Sequence, residues 1–184
     1  MRGPKPEILL AMSDRTLAQL DQIDRKILAI LQQDGRIANA DLAKQVNLSQ
    51  TPTLERVRRL ERDGFVERYV ALLNPEKMQA ALTAFVEVVL DRTTEEILDR
   101  FAQAARQAPE IVECHMIAGG FDYLLKIRVR DMPAYRHFMG SGLAALPGIR
   151  ATHTYIAMEK IKDDVTFPTE SSTDTSRQRP GKKK

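Results

Sequence analysis

Apolar residues recur at helical spacing in three successive stretches of the chain between residues 20 and 60. The stripes consist of Leu20, Ile23, Ile27, Leu28 and Leu31; of Leu42, Ala43 and Val46; and of Leu54, Val57 and Leu60. This spacing predicts three helices that each bury one face. Asp21 and Asp24 fall in the first turn of the first helix, where acidic side chains complement the helix dipole. Gly35 is predicted to end this helix, and Asn39 to cap the second.

The second and third predicted helices are joined by the short turn Asn47-Leu48-Ser49, which is the arrangement of a helix-turn-helix. Ser49 or Thr51 is predicted to cap the third helix, and Pro52 falls in its first turn, where proline is tolerated. In this motif the second helix enters the major groove of DNA, with its N-terminal residues nearest the bases. We therefore predict base contacts from Ser49, Gln50, Thr51 and Thr53, and phosphate contacts from Arg56, Arg58, Arg59 and Arg62.

An ordinary amphipathic helix with a solvated charged face would explain these arginines equally well if they stood alone. Glu55 and Glu61 also dilute their charge. The sequence of helix, turn, capped helix and polar leading end favours the DNA-binding interpretation. After the third helix, Gly64 provides a left-handed stop and Phe65 is predicted to fold back on Leu60. Residues 65–73 then read as a short strand or wing, from which Arg68 reaches the phosphate backbone.

The pattern of the chain changes after the turn signal Asn74-Pro75. Apolar and polar residues alternate in four stretches, which predicts strands over 83–90, 111–118, 123–129 and 149–158. Two helical stretches lie between them; a capping box of Thr93 and Glu96 opens the first, and Asp131 caps the second. The order β-α-β-β-α-β is the ferredoxin-like arrangement, so the predicted fold class of the chain is α+β.

One face of the predicted sheet has no helix to cover it, because two helices cover a single face. By strand parity this face presents Phe85, Val89, Glu113, His115, Ile117, Leu124 and Lys126. The set is too apolar to remain in water. We therefore predict a homodimer formed sheet against sheet, whose two-fold axis presents two recognition helices to a pseudo-palindromic DNA site.

These patterns divide the chain into five predicted segments. They are an N-terminal arm (1–16), a winged helix-turn-helix domain (17–72), a linker (73–82), a ferredoxin-like effector-binding and oligomerisation domain (83–162) and a disordered basic tail (163–184). Residues 170–184 alone account for the net charge of +3, so the rest of the chain is neutral overall. The tail is expected to add non-specific attraction to DNA. Met12 is a candidate start. The N-terminus does not resemble a secretion signal and no apolar run is long enough to span a membrane, which predicts a cytoplasmic protein.

Catalytic and metal-binding chemistry is not predicted from this sequence. Cys114 is the only cysteine, which excludes an intrachain disulfide and is most typical of a small core residue. His115, His137 and His153 are scattered, and no hydrolase or metalloprotease motif occurs. Glu113 and His115 share a sheet face, where a structural pair at the dimer interface is the favoured interpretation. The chain is predicted to be neither an enzyme nor a holder of a metal or cofactor.

The turn between the second and third predicted strands is the remaining candidate site. Gly119 and Gly120 let a ligand such as an α-carboxylate approach backbone N–H groups, and Asp122 is positioned to accept from an α-amino group. The alternative is a plain hairpin turn in which Asp122 bonds its own backbone. The residues alone favour the plain turn.

Five runs in the chain resemble the Lrp/AsnC, or feast/famine, family of bacterial transcription regulators. They are Leu20-Asp-Gln-Ile-Asp-Arg-Lys-Ile-Leu28, Asp34-Gly-Arg-Ile37, Leu54-Glu-Arg-Val-Arg-Arg-Leu-Glu-Arg62, Ala71-Leu-Leu-Asn-Pro75 and Phe121-Asp-Tyr-Leu-Leu-Lys126. The resemblance extends over nearly all of residues 17–162. The chain departs from it at Gln50, where close relatives usually have proline, and at Gly120, where a leucine-responsive member has aspartate. The departure at Gln50 bears on which bases the protein contacts, and the departure at Gly120 bears on which ligand it binds.

The resemblance implies a DNA-binding regulator of amino-acid metabolism whose dimers assemble into octamers or larger rings. It also implies that a small amino acid, with leucine as the first expectation and alanine or methionine as alternatives, binds between dimers near the turn described above. The implied effector residues are Met116, Ile117, Ala118, Gly119, Gly120, Asp122 and Tyr123, with Tyr155 and Ile156 on the last strand. The alternative function is a nucleoid-associated protein that wraps double-stranded DNA without an effector.

Overall fold

The computed structural model describes residues 20–169, and these form two compact units. Of the described residues, the first unit contains 20–71 together with 164–169, and the second contains Leu72–Asp163. The predicted N-terminal arm lies outside the described residues, as does the basic tail from residue 170. Residues 164–169, which were predicted to be disordered, contact the first unit. There the Gln32 amide donates to the Phe167 carbonyl (3.0 Å) and accepts from its N–H (2.5 Å).

The first unit is the predicted bundle of three helices, α1 (Gln22–Gln33), α2 (Asn39–Val46) and α3 (Gln50–Arg62). Asp21 caps α1 in a reciprocal capping box with Asp24. Asn47 adopts a left-handed conformation (φ 56°) after α2, which allows the tight turn into α3. The helices enclose a small core made of Leu20, Ile27, Leu42, Val46 and Leu60.

Two details of these helices differ from the predictions. Asn39 is the first residue of α2 rather than its cap, and its side chain donates to the Gln50 carbonyl at 2.9 Å. It therefore ties α2 to the start of α3. On α3 the buried positions are Thr53 and Leu60, with Val57 packed against the core, whereas Leu54 is exposed. The buried stripe thus begins one residue earlier than predicted.

The segment after α3 contains the predicted stop but not the predicted strand. Gly64 has a φ of 80°, and Phe65 donates its N–H back to the Leu60 carbonyl at 2.9 Å. Residues 67–74 have no regular secondary structure and pair with no strand among the described residues. Tyr69 crosses the end of α1, where its ring leaves no room for a Cβ at Gly35, and its hydroxyl donates to Glu61 at 2.9 Å.

The second unit has the predicted β-α-β-β-α-β order. Its elements are β1 (Leu82–Leu90), α4 (Glu95–Gln107), β2 (Ile111–Met116), β3 (Tyr123–Val129), α5 (Met132–Phe138), which continues as a π-helical turn (Met139–Leu143), and β4 (Ile149–Ile156). The strands form one antiparallel sheet in the order β2-β3-β1-β4. Asp131 caps α5 as predicted, accepting from Ala134 N–H. The capping residue of α4 is Thr94 without a side-chain bond, so the predicted box at Thr93 is wrong.

The sheet has one buried and one open face, and strand parity predicted both. Alternate residues of β1 and β3 form the core with the helices: Ala84, Val86, Val88 and Leu90, and Tyr123, Leu125, Ile127 and Val129. The opposite face carries the register pairs Phe85–Lys126, Phe85–Tyr155 and Glu113–Lys126. The chemistry of this open face decides what a second copy of the unit would meet.

Candidate functional site

The leading end of α3 is exposed, as a DNA-reading helix requires. Ser49, Gln50 and Thr51 are all solvent-accessible. Ser49 precedes the helix in extended conformation, but its hydroxyl makes no capping bond and remains available to an external partner. The Asn39 bond to the Gln50 carbonyl fixes the backbone from which these side chains project. At this end of the helix the backbone is therefore anchored to α2, while the side chains remain exposed.

Thr53 does not belong to this exposed set, although the sequence placed it among the base-contacting residues. Its side chain is fully buried, and its hydroxyl donates to the Ser49 carbonyl at 2.9 Å. A threonine one turn into a helix satisfies its hydroxyl in this way without a capping role. The prediction for Thr53 is corrected: it holds the first turn of α3 against the core.

The four arginines of α3 divide into two pairs with different surroundings. Arg56 and Arg59 point to α1, where the Asp24 carboxylate, 1% exposed, accepts from Arg56 at 2.8 Å and from Arg59 at 2.5 Å. Asp21 accepts a further bond from Arg56 at 2.6 Å. Burial opposes ionisation of Asp21, but its bonds from Asp24 N–H and from the Arg56 guanidinium lower its pKa below the ordinary value. The same two carboxylates raise the pKa of Arg56.

Arg58 and Arg62 lie on the outer side of the helix. The Arg62 side chain is 71% exposed and approaches only Asp63, at 3.7 Å, while Arg58 has no ion-pair partner among residues 20–169. An open depression of about 550 Å³ runs along α3 and is lined by all four arginines together with Pro52 and Glu55. The surface has the basic, concave character that a phosphate backbone requires.

The sequence pattern did not predict that Asp21 and Asp24 bind arginines of α3 and so hold that helix against α1. Their position in a first turn gave a sufficient local explanation through the helix dipole. The arginines that they bind stand 32 and 35 residues farther along the chain. Two acidic residues in a predicted buried stripe beside Ile23 and Ile27 were the available signal, because a buried carboxylate needs a cationic partner.

The turn between β2 and β3 is tied to β1 through Asp122. Its carboxylate accepts from Leu90 N–H at 2.7 Å and its own N–H donates to the Val88 carbonyl at 2.9 Å. Ile117 N–H donates to the Asp122 carbonyl, also at 2.9 Å. The plain-turn interpretation of Asp122 is therefore wrong, because its carboxylate bonds a neighbouring strand rather than its own turn. The effector interpretation stays a prediction. Leu90 N–H occupies Oδ2, so a ligand amino group would have to share this carboxylate.

The residues around the turn combine open and buried positions. Met116 is 62% exposed, and a Cβ built at Gly120 would meet nothing within 4 Å. There is consequently room for a larger side chain at Gly120. Tyr123 is buried, stacks on Phe101 at a centroid distance of 4.4 Å and donates its hydroxyl to Leu98 O at 3.3 Å. Tyr123 therefore anchors the end of the turn to the buried core, through its contacts with α4.

Tyr155 and Ile156 are not near this turn within one chain. They lie on β4, whereas Met116 lies on β2, and these strands form opposite edges of the sheet. Three strand spacings separate the edges, which is about 14 Å. Tyr155 is also directed to the open face, opposite Phe85. The sequence-predicted effector residues therefore form two groups, the turn group (116–123) and the β4 group (Tyr155 and Ile156).

A third polar cluster lies on the open face. Lys126 donates to Glu113 at 2.7 Å, and His115 Nε2 lies 3.5 Å from the same carboxylate. The Lys126 bond is the main cause of the lowered pKa of Glu113. Cys114, on the same strand, is exposed, which corrects its prediction as a core residue. Within residues 20–169 no group of three His, Cys, Asp or Glu side chains is arranged for a metal ion. No helix in that range is long and apolar enough to cross a bilayer.

Two family models match the chain, one for each unit. A winged helix-turn-helix DNA-binding model matches residues 20–67, which contain α1 to α3. An Lrp/AsnC ligand-binding domain model matches residues 83–167, which contain the sheet and its helices. Leucine-responsive regulatory proteins from Klebsiella pneumoniae and Escherichia coli K12 are each 54% identical to the chain over 143 residues, covering 78% of this chain and 87% of theirs. The chain belongs to the Lrp/AsnC family.

Solved structures of Lrp/AsnC regulators and related proteins share the fold. A transcriptional regulator from Neisseria meningitidis, crystallised in complex with L-Met, superposes with a TM-score of 0.78 at 36% identity and covers 82% of this chain and 97% of its own. An AsnC family regulator from Agrobacterium tumefaciens gives the same TM-score at 42% identity, covering 81% and 97%. This chain is accordingly a DNA-binding transcription regulator of the Lrp/AsnC type with a ligand-binding domain, and not an enzyme.

Proposed function

We propose that this Lrp/AsnC regulator binds specific DNA sites that control amino-acid metabolism, and that a small amino acid, leucine first, changes its assembly and its DNA binding. The observation that carries the proposal is the presence in one chain of a DNA-binding unit and a ligand-binding unit. The likeness to leucine-responsive proteins supports leucine, and a structural relative bound to L-Met supports the wider class of small amino acids. We place the protein in the cytoplasm, at the nucleoid.

In the DNA-binding unit, α3 is proposed to enter the major groove. Its exposed leading residues, Ser49, Gln50 and Thr51, would face base edges, and the side-chain amide of Gln50 offers the donor and acceptor that a bidentate bond to adenine uses. Arginines of α3 would neutralise phosphates and so fix the position of the helix on the DNA without reading its sequence. Two such helices, related by the two-fold axis of a homodimer, fit a pseudo-palindromic site.

The open face of the sheet supports the proposed homodimer. It combines apolar side chains such as Phe85 and Tyr155 with the pair formed by Glu113 and Lys126. Four such dimers are then proposed to assemble into an octamer, or more of them into a larger ring. The separation of Met116 on β2 from Tyr155 on β4 supports an effector site that draws on more than one copy of the chain, because these strands are opposite edges of the sheet, about 14 Å apart within one copy.

The proposed mechanism is linkage between two equilibria. An amino acid that binds between copies stabilises one assembly, and the affinity for DNA changes by the same coupling free energy. A coupling of about 1–3 kcal/mol would change that affinity roughly 5- to 150-fold. The coupling is reciprocal, so DNA would alter amino-acid affinity by the same factor.

Isothermal titration calorimetry of the full chain with each of the twenty standard amino acids tests the effector. We expect saturable heat from leucine or another small apolar amino acid and none from charged ones. Heat from no amino acid at all would contradict the effector proposal.

Footprinting with and without leucine separates a sensor from a DNA-wrapping protein. A sensor changes the extent or strength of protection when the amino acid is added. A wrapping protein without an effector protects the same DNA in both conditions, and that result would favour the alternative function.

A further inference from the structure

We infer that Asp24 is a positioning residue for DNA recognition: it holds Arg56 and Arg59 against α1 and leaves Arg58 and Arg62 as the arginines of α3 that neutralise phosphates. The inference rests on the proposed use of α3 as the DNA-reading helix. It assigns a role to a carboxylate that does not face DNA. It also distinguishes arginines that the sequence pattern treats alike.

The bonding of Asp24 is complete within the protein. Oδ1 accepts from Arg56, and Oδ2 accepts from Arg59 and from Asp21 N–H at 3.3 Å. The side chain is 1% exposed, so it is too deep to be reached by solvent or by a DNA phosphate. A buried carboxylate without cationic partners is strongly unfavourable. The buried negative charge of Asp24 therefore holds the guanidinium groups of Arg56 and Arg59 against α1.

The charges in this cluster balance. Two carboxylates, Asp21 and Asp24, face two guanidinium groups, Arg56 and Arg59. A cation already neutralised by the protein adds little to the release of counterions from DNA, which follows the number of phosphates neutralised. Arg58 and Arg62 have no comparable compensation among the described residues. Arg58 has no ion-pair partner there, and the one partner of Arg62 is the exposed Asp63, at the long distance of 3.7 Å.

This arrangement limits non-specific attraction while it fixes the helix. If Asp21 and Asp24 did not compensate Arg56 and Arg59, the four arginines of α3 would outweigh Glu55 and Glu61, and the helix would attract any duplex by charge alone. With two of them held on α1, the helix keeps its angle to the rest of the unit, and contacts from its leading end have more influence on which sequence is bound. Asp24 thereby favours specific over non-specific binding.

The test is Asp24→Asn in the full chain, which keeps the size of the side chain and one acceptor oxygen but removes the charge. The control is Asp41→Asn, which removes one charge from an exposed aspartate of the same unit whose ion-pair partner is Lys44. Affinity is measured by fluorescence anisotropy across a salt series, for a duplex selected by the unmodified chain from a random pool and for a random duplex of equal length.

Relative to Asp41→Asn, we expect Asp24→Asn to bind the random duplex more tightly and to steepen the plot of log affinity against log salt by about 0.9 to 1.8 for each chain. The preference for the selected duplex should fall. Equal slopes for the two variants would overturn the inference. Weaker binding to both duplexes with an unchanged slope would also overturn it, because that is the result of a purely structural role.

Asp21→Asn provides a second route if Asp24→Asn does not fold, as judged by circular dichroism. Asparagine caps a helix about as well as aspartate, and Asp21 is half exposed, so α1 should form normally. This variant frees Arg56 from one of its two carboxylates and should steepen the slope by about 0.9. A slope equal to that of Asp41→Asn would contradict the inference. Unaltered DNA binding after loss of Arg58 and Arg62 would instead remove α3 from the proposed function.

Discussion

The residues proposed to face DNA lie in one short stretch of one chain, from Ser49 to Arg62, whereas those proposed to hold the effector lie around the turn between β2 and β3 and on β4. The first set belongs to one helix and the residue before it, so a single copy of the chain contains all of it. The second set is divided between the β2–β3 turn with its flanking residues and β4, at the far edge of the sheet from β2. A site of the first kind works in each subunit independently. If the second set forms one site, as proposed, a second copy of the chain must complete it, and a ligand would then influence the assembled state directly.

The largest expected effect comes from the self-contained site. Replacing Arg58 and Arg62 together by alanine should weaken binding to every duplex by on the order of 10- to 100-fold at 0.1 M salt and flatten its salt dependence. The matched control is Arg100→Ala, an exposed arginine on α4 of the other unit. Anisotropy titrations at several salt concentrations measure the effect. Equal affinities for the double variant and the control would mean that α3 does not face DNA.

A smaller effect is expected at the turn of the divided site. Asp122→Ala removes the acceptor of Leu90 N–H and should destabilise the ligand-binding unit by about 1–3 kcal/mol, the usual consequence of leaving a buried donor unpaired. Asp122→Asn keeps an acceptor oxygen and should recover most of this free energy. Urea unfolding followed by circular dichroism compares the three proteins. A fully stable alanine variant would show that the bond to Leu90 is dispensable and would return Asp122 to a purely ligand-binding role.

The smallest effect concerns acid stability of the ligand-binding unit. The bond from Ala134 N–H to Asp131, aided by Arg130, holds the pKa of Asp131 below 3.8. A lowered carboxyl pKa contributes stability that is present above the unfolded value and is lost as the pH falls through the folded value. Asp131→Asn keeps the cap but does not titrate, so it should lose less stability than the unmodified chain between pH 5 and about pH 3. Identical losses in urea midpoints would contradict this assignment.

The sequence predicted those parts of the fold that depend on short-range patterns. Alternation gave β1 and β3 almost to the residue, and the caps at Asp131 and Gly64 were recognised from local chemistry. Where the predicted helix faces were wrong, the shift was one residue: the buried face of α3 includes Thr53 instead of Leu54. These features are decided by neighbours within one or two turns of the chain.

The sequence did not predict interactions between distant positions. Asp24 meets Arg56 and Arg59 across more than thirty residues, and Asp122 meets Leu90 across the same interval of 32. No periodicity relates such partners, so local explanations were chosen for all of them. The division of the effector residues was likewise invisible until the strand order β2-β3-β1-β4 was known. Residues 65–73 have strand-like composition but no partner strand among the described residues, and composition alone does not supply one.

The central claim is that the effector site is completed by a second copy, and mixing two variants tests it most directly. Met116→Ala alters the turn group and Tyr155→Ala the β4 group; both side chains are exposed, so each variant should fold. Each should bind the amino acid poorly by calorimetry. After co-refolding in equal amounts, about a quarter of the sites should draw both intact residues from different chains and regain affinity. A mixture that binds no better than the separate variants would contradict the claim.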